Sequence, residues 1–177
     1  NKPRGIVCTE ERRERDSIVR FLNYPVRITY VGRLDKDSEG LLLMTNNGDI
    51  INRMMRAANK HEKEYKVTVD KPVTDEFLKE MAGGVPILDT VTRPCQVEKL
   101  GKYKFKIILT QGLNRQIRRM CEALGYEVKE LRRVRIMNIE LGNLKPGEYR
   151  KVTDQELNEL YELIRDSKSE PTPWNNN

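Results

Sequence analysis

The chain alternates two hydrophobic rhythms. Tyr65, Val67 and Val69 share one side of an extended segment, and Tyr103, Phe105, Ile107 and Leu109 share one side of another, with lysines populating the opposite side. A period of two predicts strands buried on one face. Elsewhere the spacing changes to three and four. Ile50, Ile51, Met54, Met55 and Ala58 predict a helix after Asp49, and Phe77, Leu78 and Met81 predict another between Pro72 and Gly83-Gly84, capped by Thr74 or Asp75. Ile117, Met120, Cys121 and Leu124 give a helix that Gly125 stops, and Thr153 with Glu156 forms a capping box ahead of a face made by Leu157, Leu160, Tyr161 and Ile164.

Three stretches are less regular. In "RVRIMNIEL" the apolar phase slips between Ile136 and Met137, predicting a bulge or a break between two strands. The continuous run Leu41, Leu42, Leu43, Met44 predicts a buried strand fed by the polar loop "GRLDKDSEG", and "NKPRGIVCT" predicts a short apolar strand near the start. From Asp166 onward, "DSKSEPTPWNNN" has little apolar content and two prolines, so residues 166–177 are expected to form a mobile tail. The pattern as a whole predicts an α+β fold: a mixed, largely antiparallel sheet with helices packed on it. At 177 residues it suits one domain, or two small lobes around a shared core.

Composition narrows the chemistry. No apolar run approaches the roughly 18 residues of a membrane span, and no signal-peptide hydrophobic region is found, so a cytoplasmic protein without membrane contact is expected. Cys8, Cys95 and Cys121 are far apart and form no C-x-x-C pair, and His61 is the single histidine. Neither a disulfide framework nor a metal site is indicated, which directs attention to carboxylates, Arg, Lys and Tyr. The formal charge of +6 is concentrated: Arg115, Arg118, Arg119, Arg132, Arg133 and Arg135 crowd together. Arginine suits phosphate forks, so a polyanionic partner competes with a plainly solvated helix face.

Asp35 and Asp37 lie two apart in a glycine-bounded loop. Extended, they point the same way, and one could be a nucleophile or base; equally, either could be an Asx-turn or helix-cap residue. A catalytic carboxylate needs a cation beside it and, for a flat substrate, an aromatic face. Arg118, in the first turn of its helix, is the candidate cation, against a pairing with Glu122 four residues on. Tyr65 is the candidate aromatic, against a place in the core. A hydrolase using Asp35 and Asp37 as an acid–base pair ranks last, because two carboxylates in one tight loop seldom straddle a scissile bond.

"NKPRG", "VGRLDKDSEGLLLMTNNGD", "HEKEYKV" and "QGLNRQIRRMCEALGYEVKELRRVRI" occur in that order and together resemble the sequence blocks of the RsuA/RluB/RluE/RluF family of ribosomal RNA pseudouridine synthases. "HEKEY", "GVPIL" and "GLNRQIRRMCE" are most similar to the RluF-type, large-subunit branch. The resemblance implies a catalytic domain over residues 1–165, in two lobes with a sheet running through both and a central cleft. It implies a cofactor-free, metal-free isomerase, expected to be monomeric, acting on a uridine in a structured stem-loop of ribosomal RNA, with the large-subunit 23S RNA as the expected target. Asp35 matches the family's essential aspartate, Tyr65 the aromatic that stacks on the target base, and Arg118 the arginine that pairs with the aspartate. Arg33 matches a basic residue near the flipped nucleotide, and Arg115 and Arg119 would contact the RNA backbone. Lys63, Asn114, Gln116 and Arg133, within the same blocks, are further candidates for RNA contact. Family members usually carry a small RNA-binding domain upstream of "LNKP", and this chain starts inside that block, so it is expected to be a fragment. The competing class is an RNA-binding module without catalysis.

Overall fold

The computed structural model describes residues 1–56 and 61–165. Ala58 and the expected tail at 166–177 lie outside the described residues. In chain order the elements are α1 (Ile18–Leu22), β1 (Thr29–Val31), β2 (Glu39–Gly40), β3 (Leu43–Thr45), α2 (Gly48–Arg56), β4 (Lys63–Val69), α3 (Asp75–Gly83) and β5 (Pro86–Ile87). There follow β6 (Thr90–Val91), β7 (Gln96–Gly101), β8 (Lys104–Leu109), α4 (Gln116–Ala123), β9 (Val128–Ile136), β10 (Ile139–Glu140) and α5 (Asp154–Ile164).

The main sheet has six strands in the order β10-β9-β4-β8-β7, with β2 added parallel to β9 at Glu39↔Arg132 and Gly40↔Arg133. Every other pairing in it is antiparallel. The sheet is therefore mixed and largely antiparallel, as the alternation predicts. Its central strands bury what the period-two pattern assigns: Val67, Phe105 and Ile107 are fully enclosed, and Phe105 meets Phe77 of α3 edge-on at 5.3 Å. Burying one such side chain contributes about 1.5–3 kcal/mol.

Two cores result. One gathers Val67, Phe77, Met81, Phe105, Ile107, Met120 and Leu131 under α3 and α4, and the other gathers Val31, Leu41, Ile50, Met54, Ile136, Ile139, Leu160 and Ile164 under α2 and α5. Strand β9 feeds both, Leu131 to the first and Ile136 to the second. It is the seam of the molecule.

Several sequence expectations need correction. The run Leu41–Met44 is not one buried strand: Leu41 follows β2, its N–H bonding Arg133 O at 2.8 Å, while Leu43 and Met44 enter β3 of a separate two-stranded ribbon with β1. Only Leu41 of the four is buried. The expected strand in "NKPRGIVCT" reduces to isolated bridges, Lys2 to Gly40 and Val7 to Ser17. Tyr103 sits exposed in the β7–β8 turn, and Tyr161 lies on the outside of α5. The slip after Ile136 is the break between strands, with Met137 turning the chain at φ 53° into β10. The predicted caps at Thr74 and Thr153 both form. The five-residue helix α1 is too short to show a period in the sequence.

Candidate active site

The loop from Arg33 to Ser38 lies against the start of α4, and between them a cleft of about 600 Å³ opens over the sheet. Arg33, Asp35, Lys63, Tyr65, Asn114, Arg115, Gln116 and Arg133 all line it. Residues from three sequence blocks thus converge on one space. Leu109, Leu131, Ile136 and Met54 supply apolar wall between the polar groups.

The loop owes its shape to long-range fastening. Lys2 exchanges both backbone hydrogen bonds with Gly40, at 2.7 and 3.0 Å, and Gly5 N donates to Lys36 O at 2.8 Å. Ser38 N closes a turn on Asp35 O at 3.0 Å. The buried Lys2 ammonium turns back onto Ile6 O at 2.7 Å. "NKPRG" is therefore the brace of the loop. Gly40, at φ 114°, takes a conformation that side chains avoid, and a Cβ there would strike the Arg133 backbone carbonyl. Parallel pairing of β2 with β9 needs that absence.

Asp35 occupies the cleft half-exposed, its Oδ2 3.4 Å from Arg115 Nη1. Asp37 is held harder: Arg115 grips it through two bonds of 3.1 and 2.8 Å. The Arg115 hydrogen bond, more than the nearby charge of Arg118, pulls the Asp37 carboxyl down to about 2. Arg115 reaches both acids because it precedes α4 in the left-handed region, at φ 48°. For a residue with a Cβ that conformation costs about 1–2 kcal/mol, which a bidentate carboxylate pair offsets.

Arg118 does not make the expected pair with Asp35, nor the alternative one along its helix. Its Nη2 donates to Asp37 O at 3.0 Å and to Ser38 Oγ at 3.1 Å, and its Nη1 stands 3.5 Å from Asp37 Oδ2. With a side chain 8% exposed, it is a buried pin beneath the loop. The cation touching Asp35 is Arg115. Its backbone conformation, invisible in the sequence, makes that exchange.

The remaining candidates divide. Arg33 is exposed at the rim, its guanidinium 5.7 Å from the Tyr30 ring, a partner the sequence did not single out. Gln116 is buried, its Oε1 accepting Leu113 N at 3.1 Å, so its side chain shapes the loop before α4. Arg119 bonds Asn114 O and Oδ1 at 3.0 and 2.9 Å and stands outside the cleft lining. Arg133, expected among the RNA-contacting basic residues, is buried within the cleft floor and not displayed at the rim. Lys63 is half-buried, and burial, with a smaller push from Arg133, lowers its ammonium to about 8.

Chemically the arrangement offers a carboxylate beside a guanidinium, a phenol ring in the lining and a basic group at the rim. Residues 1–123 match the family model described as RNA pseudouridylate synthase. The chain is 58% identical over 173 residues to the "Dual-specificity RNA pseudouridine synthase RluF" of Escherichia coli (strain K12), covering 98% of this chain and 60% of that protein. It is 36% identical to the "Ribosomal small subunit pseudouridine synthase A" of Yersinia pestis, over 89% of this chain and 69% of the relative. A solved structure described as a pseudouridylate synthase superposes with a TM-score of 0.83 at 33% identity, covering 90% of this chain and 71% of the other.

Proposed function

This chain belongs to the RNA pseudouridylate synthase family, and on that footing we propose that it isomerises a uridine of ribosomal RNA to pseudouridine with Asp35 as the reacting carboxylate. The observation that carries the reading is the convergence of Asp35, Tyr65 and Arg115 on one cleft. The chain spans 60% of the length of the RluF relative, so the activity proposed is that of the catalytic portion.

The reaction breaks the bond between uracil N1 and the ribose, turns the base and rejoins it through C5. Asp35 either attacks the anomeric carbon or removes a ribose proton. Both roles use the Asp35 carboxylate, which the Arg115 guanidinium approaches to 3.4 Å. The base must leave its stack to enter. Flipping costs a few kcal/mol, and stacking on Tyr65 returns about 1–3 kcal/mol, with phosphate contacts at the exposed Arg33 offsetting the rest. Apolar walls of Leu109, Leu131, Ile136 and Met54 exclude water, so the detached base rejoins the sugar in preference to hydrolysis. Pseudouridine formation changes no oxidation state and consumes no cofactor.

The large-subunit RNA is the proposed substrate, since the blocks resemble the large-subunit branch and identity to RluF exceeds identity to the small-subunit synthase. A structured stem-loop suits a protein reading shape through a single flipped nucleotide. The enzyme is proposed to act as a monomer in the cytoplasm. Incubating the chain with 23S and 16S RNA transcripts, then mapping pseudouridine by carbodiimide labelling and primer extension, tests this. A discrete new stop in 23S RNA is expected; no new stop in either transcript, even with an upstream RNA-binding domain fused on, would overturn it.

A further inference from the structure

Arg133 is the most deeply buried charged residue lining the cleft among the described residues, at 3% exposure. Its Nε donates to Leu41 O at 2.9 Å, while Leu41 N returns a bond to Arg133 O at 2.8 Å. The side chain is thus pinned along one edge. Its Nη2, equally buried, has no hydrogen-bond partner among the described residues. A buried guanidinium N–H normally has an acceptor, because leaving it unpaired is costly. Here the unpaired donor belongs to a residue of the substrate cleft.

Position identifies the acceptor. Arg133 is the register partner of Tyr65 across β4 and β9, next to the irregularity between Glu64 and Tyr65. It is also the register partner of Gly40, five residues beyond Asp35. The guanidinium therefore belongs to the floor that carries the stacking ring, not to the rim. Phosphates remain in water near the exposed Arg33; the group that descends to the floor is the base.

Resting on the isomerase reading above, we propose that Arg133 is a catalytic residue whose Nη2 donates to a carbonyl oxygen of the flipped uracil and stabilises the charge that gathers there. When the N1–C1′ bond breaks, its electron pair leaves with the base and spreads over O2 and O4. That pair returns when C5 bonds to C1′; the C5 proton then departs to solvent, and N1 takes up a proton. A donor placed where negative charge develops, in a site closed to water, acts on the rate. It acts alike whether Asp35 attacks C1′ or removes a ribose proton, because the base leaves as an anion in both. The neighbouring Lys63, whose ammonium is pushed down by burial and, less, by Arg133, lines the same cleft.

The test is a cycle between protein and substrate. Transcripts tritiated at C5 and carrying uridine, 2-thiouridine or 4-thiouridine at the modified position are turned over once by wild type, Arg133→Gln and Arg133→Lys. Arg133→Gln should release tritium about 10²-fold more slowly with RNA affinity unchanged. At one of the two positions, sulfur should slow wild type about ten-fold more than it slows Arg133→Gln, a ratio in which sulfur's intrinsic effect on the leaving group cancels. Should Arg133→Gln melt before assay temperature, Arg133→Lys supplies the same ratio with the cation retained. Equal sulfur effects at both positions in wild type and variant, or a loss confined to RNA affinity, would overturn the proposal. A wild type that modifies uridine but shows additive effects removes only this inference; a wild type that releases no tritium removes the isomerase reading as well.

Discussion

Two recesses share a wall. The cleft of about 600 Å³ and an apolar hollow of about 430 Å³ both touch Val31 and Met54, one on each side. A single stretch of chain lines both. Arg33, Asp35 and Ser38 face the cleft, and Leu41, Leu42, Leu43, Met44 and Thr45 line the hollow. Gly40, at the end of β2, separates the two, pressed on the Arg133 backbone. One half of the segment is an anchor and the other half a tool. Polar groups can be held in a defined geometry there because their neighbours a few residues on are sunk in apolar surroundings.

That division can be broken from either side. Leu41→Ala, at 5% exposure, removes the anchor and should cost about 2–5 kcal/mol in denaturant unfolding, with turnover per folded molecule nearly unchanged at low temperature. Arg118→Ala should act in the opposite sense. Loss of its bonds to Asp37 O and Ser38 Oγ frees the loop, so the rate should fall about 10²-fold, while RNA affinity measured by filter binding changes little.

Acid sharpens the comparison. The Asp37 carboxyl is lowered from 3.8 to about 2, chiefly by Arg115. Its stabilising contribution is therefore complete above pH 3.8 and lost as pH falls through 2. Solvent screening of a pair this exposed keeps the amount at or below about 1 kcal/mol. Urea melts between pH 5 and pH 2 should show the gap between wild type and Asp37→Asn closing, whereas Leu41→Ala should keep its deficit throughout. The smallest effect is assigned to Arg119→Ala. Its side chain serves Asn114 outside the cleft lining, so turnover should stay within about three-fold and the salt slope of RNA binding should fall by no more than about one unit.

Legibility followed the same line. Strands β4 and β8 alternate strictly, and α3 and α5 carry their own caps, so local pattern and tertiary burial agree there. The leucine run misleads because it is divided between two sheets by strands of two and three residues, too short for a period to register. Glycine at position 40 carried a signal for close backbone approach. The brace from Lys2 to Gly40 leaves no local trace, since it joins segments far apart in the chain. The blocks that carry Asp35 and Tyr65 both reach the cleft, yet the cation beside Asp35 was not legible from them. A left-handed arginine at 115 redirects that contact, and an arginine gives none of the warning that glycine or asparagine would. Arg133 reads as one more basic residue in a cluster until the parallel pairing of β2 buries it.

The proposed function gives one loop's two acids different employment: Asp35 is the proposed reacting carboxylate, and Asp37 tethers Arg115 and Arg118. Tritium release from C5-labelled 23S RNA by wild type, Asp35→Asn and Asp37→Asn, compared side by side, tests this most directly. Release should be lost with Asp35→Asn, by about 10³-fold or more, and retained within about 10²-fold with Asp37→Asn. Release surviving in Asp35→Asn while vanishing in Asp37→Asn would contradict the assignment.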